Sequence, residues 1–174
     1  MKNTTFITIF LIAVLYSYNS YGQNEYSTTI KLEAETMVES LKEKDFESLM
    51  HYTYPRLIEL AGGKDILSKR VSESLNQMEN DGVMIIDAII GEPENTFIAG
   101  EELHCLVPQE IVMRVPNGKL ISNSFLLAIS KDNGKSWYFL DTNQMTIENI
   151  KQLFPKFNNA LKLPPKTAPQ FIPN

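Results

Sequence analysis

The sequence predicts an α+β fold, with N-terminal helices packed on a curved, cone-like antiparallel sheet and a proline-rich C-terminal tail. Three observations predict it. Apolar residues in the first half recur at helical spacing, those in the second half form strand-like runs between tight turns, and the two kinds of segment are not interleaved. Helices first and a strand meander second is the order of an α+β domain, not of alternating βαβ units.

The first helix is read from Ile30, Ala34, Met37, Val38 and Leu41, which make one amphipathic stripe, with Ser27 as the expected N-cap. Asp45 is expected to cap a second helix carrying Phe46, Leu49 and Met50. Pro55 suits the first turn of a third, short one with Leu57, Ile58 and Leu60, stopped by Gly62-Gly63. A longer helix follows through Ile66 or Leu67, Val71, Leu75 and Met78, closed by Asn80-Asp81-Gly82. Strands are expected at Val83 to Ile90, Leu103 to Val115, Leu120 to Ser130 and Ser136 to Leu140. Pro108 interrupts the second of these and suggests a bulge or an edge, because proline donates no ladder hydrogen bond. Pro116-Asn117-Gly118, with its Asn-Gly step, and Asp132-Asn133-Gly134 mark the hairpin turns, and a short helix at Thr146 to Leu153 closes the domain. Five of the nine prolines fall after Phe154, so the segment from 155 to 174 is either a disordered tail or an extended strap on the domain.

The strands carry apolar residues on both faces. Phe125, Leu127 and Ile129 point one way, Leu126 and Ala128 the other. Helices on one side cover only one face. The second needs a partner subunit, the proline-rich tail, or sheet curvature that encloses a pocket.

The first 22 residues read as a secretory signal peptide. Lys2 precedes an apolar run from Phe6 to Tyr16, polar residues follow, and Gly22 stands before Gln23. The run is too short to span a bilayer, which takes roughly 20 apolar residues, so no stable membrane anchor is expected. The organisation is then residues 1–22 as signal peptide, 23–154 as one domain and 155–174 as tail, with the mature chain released to the periplasm or the extracellular space. Losing Lys2 from the 16 basic residues leaves 15 against 21 acidic ones, a net charge of −6. With no basic cluster, a nucleic-acid partner is not expected. Cys105 is the single cysteine, so no internal disulfide forms. In its apolar run it reads as a buried small hydrophobe, the competing readings being a reactive thiol or an intermolecular bridge.

The residues around Lys44-Asp45-Phe46-Glu47-Ser48-Leu49, with Tyr52-Thr53, Pro55 and Gly62-Gly63, and the helices-then-meander order from about 26 to 153, resemble the nuclear-transport-factor-two-like superfamily. That resemblance implies a cone of helices held in a curved sheet. A cystatin-like or other α+β sheet is the alternative. The superfamily includes isomerases, dehydratases, cyclases and non-enzymatic binders, so it implies no single activity. The carboxylate base and oxyanion pair of its isomerases do not map onto Asp87, Glu102 or Asp141 by spacing.

Ser130-x-Asp132-x-Gly134-x-Ser136-Trp137 resembles the Asp box of sialidases. It occurs once, in a chain too short for a propeller, and reads as a structural hairpin in which Asp132 caps turn N–H groups and Trp137 packs beneath. His51 and His104 are the only histidines and lie in different elements, so neither a metal centre nor a cofactor is expected.

Three functions remain. The first is a secreted, non-enzymatic binding or accessory domain holding a small apolar ligand or a partner chain, with Tyr52, Tyr54, His104, Arg114 and Trp137 as candidate pocket residues. The second is an isomerase- or hydrolase-like enzyme, for which His104 and Glu102, two apart on one strand face, are the pair to test. The third is an interaction protein that forms a homodimer through its open sheet face.

Overall fold

The structure, a computed structural model, describes residues 26–143 and 145–174; the signal segment expected at 1–22 lies outside them. It is an α+β fold with helices packed on a six-stranded antiparallel sheet. Four helices come first: α1 (Ser27–Lys42), α2 (Phe46–Tyr52), α3 (Pro55–Leu60) and α4 (Lys64–Asn80). Strands β1 (Met84–Ile90), β2 (Phe97–Ala99), β3 (Glu102–Val115), β4 (Gly118–Ser130) and β5 (Tyr138–Asp141) follow, then α5 (Ile147–Leu153) and β6 (Gln170–Pro173).

The helix signals act much as their chemistry requires. Asp45 caps α2 by accepting from Ser48 N–H at 3.1 Å. Pro55 opens α3, where a missing N–H costs nothing. At α1 the cap position falls to Tyr26, with no side-chain bond, and Ser27 is already helical. Thr146 and Asn149 close a reciprocal capping box on α5.

β3 and β4 pair along their whole length, from Leu103 with Ser130 to Val115 with Gly118. On the outer side of β3, β1 pairs with Gln109 to Arg114 and β2 with Glu102 to His104. On the outer side of β4, β5 pairs with Leu126 to Ile129 and β6 with Gly118 to Ile121. Pro108 stays in register with Phe125 and makes no bulge. Its carbonyl accepts from Gly91 N–H at 2.8 Å, so its nitrogen faces the gap where β3 passes from β1 to β2 and no donor is needed. The bulge lies in β1, between Ile85 and Asp87. The β3–β4 turn places Pro116 and Asn117 at its centre, within the expected Pro116-Asn117-Gly118 turn, and pairs Gly118 with Val115. Gly118 is required for another reason: a Cβ there would stand 2.1 Å from the Ile172 carbonyl of β6.

Two cores lie on opposite faces of the sheet. On one, Ile30, Ala34 and Val38 of α1 pack on Cys105, Val107, Leu126, Ala128 and Phe139, with Trp137 at the edge. On the other, Ile150 and Leu153 of α5, then Phe154, Phe157 and Leu161, pack on Leu106, Leu127 and Ile129. The chain itself covers the second face. The C-terminal segment is a strap: Phe157 and Leu161 are core residues, and its end adds β6 to the edge of β4. Among the described residues, no helix is long and apolar enough to cross a membrane.

Candidate functional site

A cavity of about 230 Å³ lies between the helices and the first sheet face. Met37, Val38 and Leu41 of α1, Leu49 and Met50 of α2, Leu57 of α3 and Leu67 and Val71 of α4 form its helical wall. Ile85, Ala88, Ile111, Leu126 and Phe139 form its floor on the sheet. It is lined by 18 residues from four helices and four strands, whereas two clefts of similar volume beside α5 and Phe154 are each lined by seven. Four polar residues reach it: Lys42, Thr53, Gln109 and Asp141.

Local register explains two of them, with Ser124 between. Gln109 on β3 stands opposite Ser124 on β4, and Asp141 on β5 stands opposite Leu126, two residues further along β4. The three polar side chains therefore form a short row across the floor. Gln109 is buried, and its Nε2 donates to Ser124 Oγ at 2.9 Å and to Asp141 Oδ2 at 3.1 Å. Asp141 Oδ1 accepts from Asn143 N–H at 2.7 Å. Asp141 is open to solvent at the mouth yet has protein around most of its carboxylate; the lost hydration raises its pKa, against the two hydrogen bonds it accepts. Thr53 sits where the chain crosses from α2 to α3 and bridges to Phe139 of β5. Its hydroxyl donates to Leu49 O at 2.9 Å.

None of the five residues expected at the pocket lines this cavity. Tyr52 packs at the margin of the first core with its ring edge-on to His51. Arg114 is exposed near the far end of β3. Trp137 is 1% exposed, held under its turn by an Nε1–H bond to Gly134 O at 3.3 Å, so it offers no face to a sugar. The turn itself is the structural hairpin expected. Asp132 accepts from Lys135 N–H, Ser136 N–H, Ser136 Oγ and Ser130 Oγ, and these bonds hold its pKa down at about 2. Gly134 has φ +84° and its α-carbon faces the Tyr26 ring, where a Cβ would come within 2.1 Å.

Tyr54 and His104 meet on the opposite face. Tyr54 Oη donates to Glu102 Oε1 at 2.9 Å, and His104 Nε2 bonds Glu102 Oε2 at 3.1 Å. The sequence pair Glu102 and His104 is thus a real contact. The imidazole, however, is fully buried against Phe154 and Phe157, and its Nδ1 has no hydrogen-bond partner. Burial lowers the His104 pKa, opposed by the Glu102 carboxylate, and the cleft beside Phe154 is lined by Glu102 but not by His104. Cys105 is also fully buried, its thiol bonded to Glu94 O at 3.1 Å, and burial pushes its pKa up to about 12, which leaves the thiol unreactive. No group of three or more metal-ligating side chains occurs among the described residues.

Gln109 and Asp141 are the residues that sequence reasoning missed as a site. The available signal was modest: both are polar positions on strand faces whose neighbours are apolar. Comparison with protein-family models, with curated proteins and with solved structures finds no match.

Proposed function

We propose that this chain is an exported, non-enzymatic binding domain of the cone-like, nuclear-transport-factor-two-like kind, and that it holds a small apolar molecule in the cavity between α1, α2, α4 and the sheet. The cavity carries the reading: about 230 Å³ of largely apolar wall with a few convergent polar groups. An apolar cavity of roughly 150 Å³ already admits a benzene-sized molecule, so this one has room for a larger ligand. The enzyme reading is weaker because the pair it needs, His104 with Glu102, lies outside this cavity and under the aromatic roof of Phe154 and Phe157. The homodimer reading loses its motive where α5 and Phe157 cover the second sheet face.

Native mass spectrometry of the full chain, expressed with its N-terminal segment in an exporting host, tests the proposal. The expected result is a monomer that begins at Gln23 and carries an extra small-molecule mass released on denaturation. A bare protein that also fails to take up the neutral apolar dye Nile red would overturn the binding reading. A dimer without adduct would favour the interaction protein. A mature chain that still begins at Met1 would overturn export.

A further inference from the structure

The polar groups on the cavity wall are nearly all acceptors. Gln109 is 5% exposed, and both hydrogens of its Nε2 are spent, on Ser124 Oγ and Asp141 Oδ2. Gln109 lines the cavity, and no donor among the described residues bonds its Oε1. The Thr53 hydroxyl spends its hydrogen on Leu49 O, which leaves lone pairs only. Asp141 contributes a carboxylate that accepts at both oxygens. Lys42, the one cationic residue in the lining, is paired with Glu39 at 2.8 Å. A buried acceptor left unmet costs free energy, and so does a buried ligand oxygen brought against another acceptor.

We infer that the cavity selects an apolar molecule whose single polar end is a hydrogen-bond donor, a hydroxyl or a protonated amine, seated against Gln109 Oε1 and the Asp141 carboxylate. A carboxylate-headed ligand such as a fatty acid is disfavoured at that end of the cavity, because its oxygens would face two acceptors, one of them anionic. This rests on the cavity being the binding site and adds the class of molecule that enters it.

Isothermal titration calorimetry of the full-length mature protein with 1-octanol, octylamine and octanoate separates the cases. Octanol and octylamine are expected to bind at least about tenfold more tightly than octanoate, the discrimination that one charge-assisted hydrogen bond supplies. Asp141→Asn is expected to weaken octylamine, which loses its charged partner, more than octanol. Gln109→Leu is expected to weaken octanol, which loses its acceptor, while octanoate stays weak against the Asp141 carboxylate. Octanoate binding as well as or better than octanol would overturn the inference while leaving the cavity reading intact, and would point to Lys42 as the reader of the head group. No binding by any of the three would overturn the cavity reading itself. Should Gln109→Leu fail to fold, the ranking on the unaltered protein and the exposed Asp141 site still decide.

Discussion

His104 has one ring nitrogen bonded to Glu102 and the other bonded to nothing, inside a wall of aromatic rings. A neutral imidazole there donates through Nε2 and leaves only a lone pair unmet. A protonated one adds a buried charge and an unmet N–H donor, which is why burial lowers its pKa. The folded-state value therefore lies below the unfolded value of about 6.5. His104 binds its proton more readily once unfolded, so its effect is to lower stability as pH falls through 6.5 toward the folded-state pKa. Urea unfolding between pH 7.5 and 5 should show that loss, and His104→Leu should flatten it. An equally steep decline in the variant would place the effect elsewhere. Cys105 illustrates the same physics without a switch: burial raises its pKa to about 12, so alkylating reagents should leave the native protein unmodified.

At the scale of elements, α4 and the strap are the instructive pair. α4 has 17 residues and none is buried. Leu67 and Val71 touch the cavity, and Glu79 pairs with Lys44 at 2.7 Å across two exposed side chains, a contact worth under about 1 kcal/mol. Amides of α4 should exchange with deuterium well before those of β3 and β4, as followed by hydrogen-exchange mass spectrometry. Protection of α4 equal to that of β3 would contradict this. The strap divides in two. Phe157 and Leu161 are core, whereas all of β6 is exposed. Deleting residues 164–174 should cost little stability. Deleting 155–174 should cost several kcal/mol, because each large apolar side chain removed from a core costs about 2–5 kcal/mol. Gly118→Val should displace β6 from the full chain, where its side chain meets the Ile172 carbonyl, and be tolerated far better in the chain ending at residue 163.

At the scale of the whole molecule, the sheet is a wall between two differently filled compartments. The α5 side has a core of aromatic and aliphatic side chains with two clefts, each lined by seven residues, along it, and the α1 side is packed at one end and hollow at the other, between four helices and the sheet. Hollow apolar volume is destabilising, since its lining atoms lack dispersion partners. Ala88→Leu, a small residue on the cavity floor made larger, should raise stability by about 0.5–2 kcal/mol and abolish uptake of an apolar ligand, measured by thermal melting and by dye binding on the same samples. Loss of stability instead would mean that the volume is not free to be filled.

The class and order of the fold and most element positions were legible in the residues, because those follow from local signals. The 3.6-residue stripe of α1, Asp45 as a cap, Pro55 at a helix start and the Asp132 turn each act within a few residues. The sequence also marked the two-faced apolar strands and the pairing of Glu102 with His104, which share a face by period two. It did not show β2 or β6, three and four residues long, whose pairing depends on partners far along the chain. Which side chains share a cavity depends on long-range packing. Tyr54 and His104 point to the α5 face and Trp137 lies under its own turn, while Gln109 and Asp141, 32 residues apart, meet because register sets them on neighbouring rows of one face. Register and the path of the strap are settled by the summed burial of both cores, a quantity no local window contains.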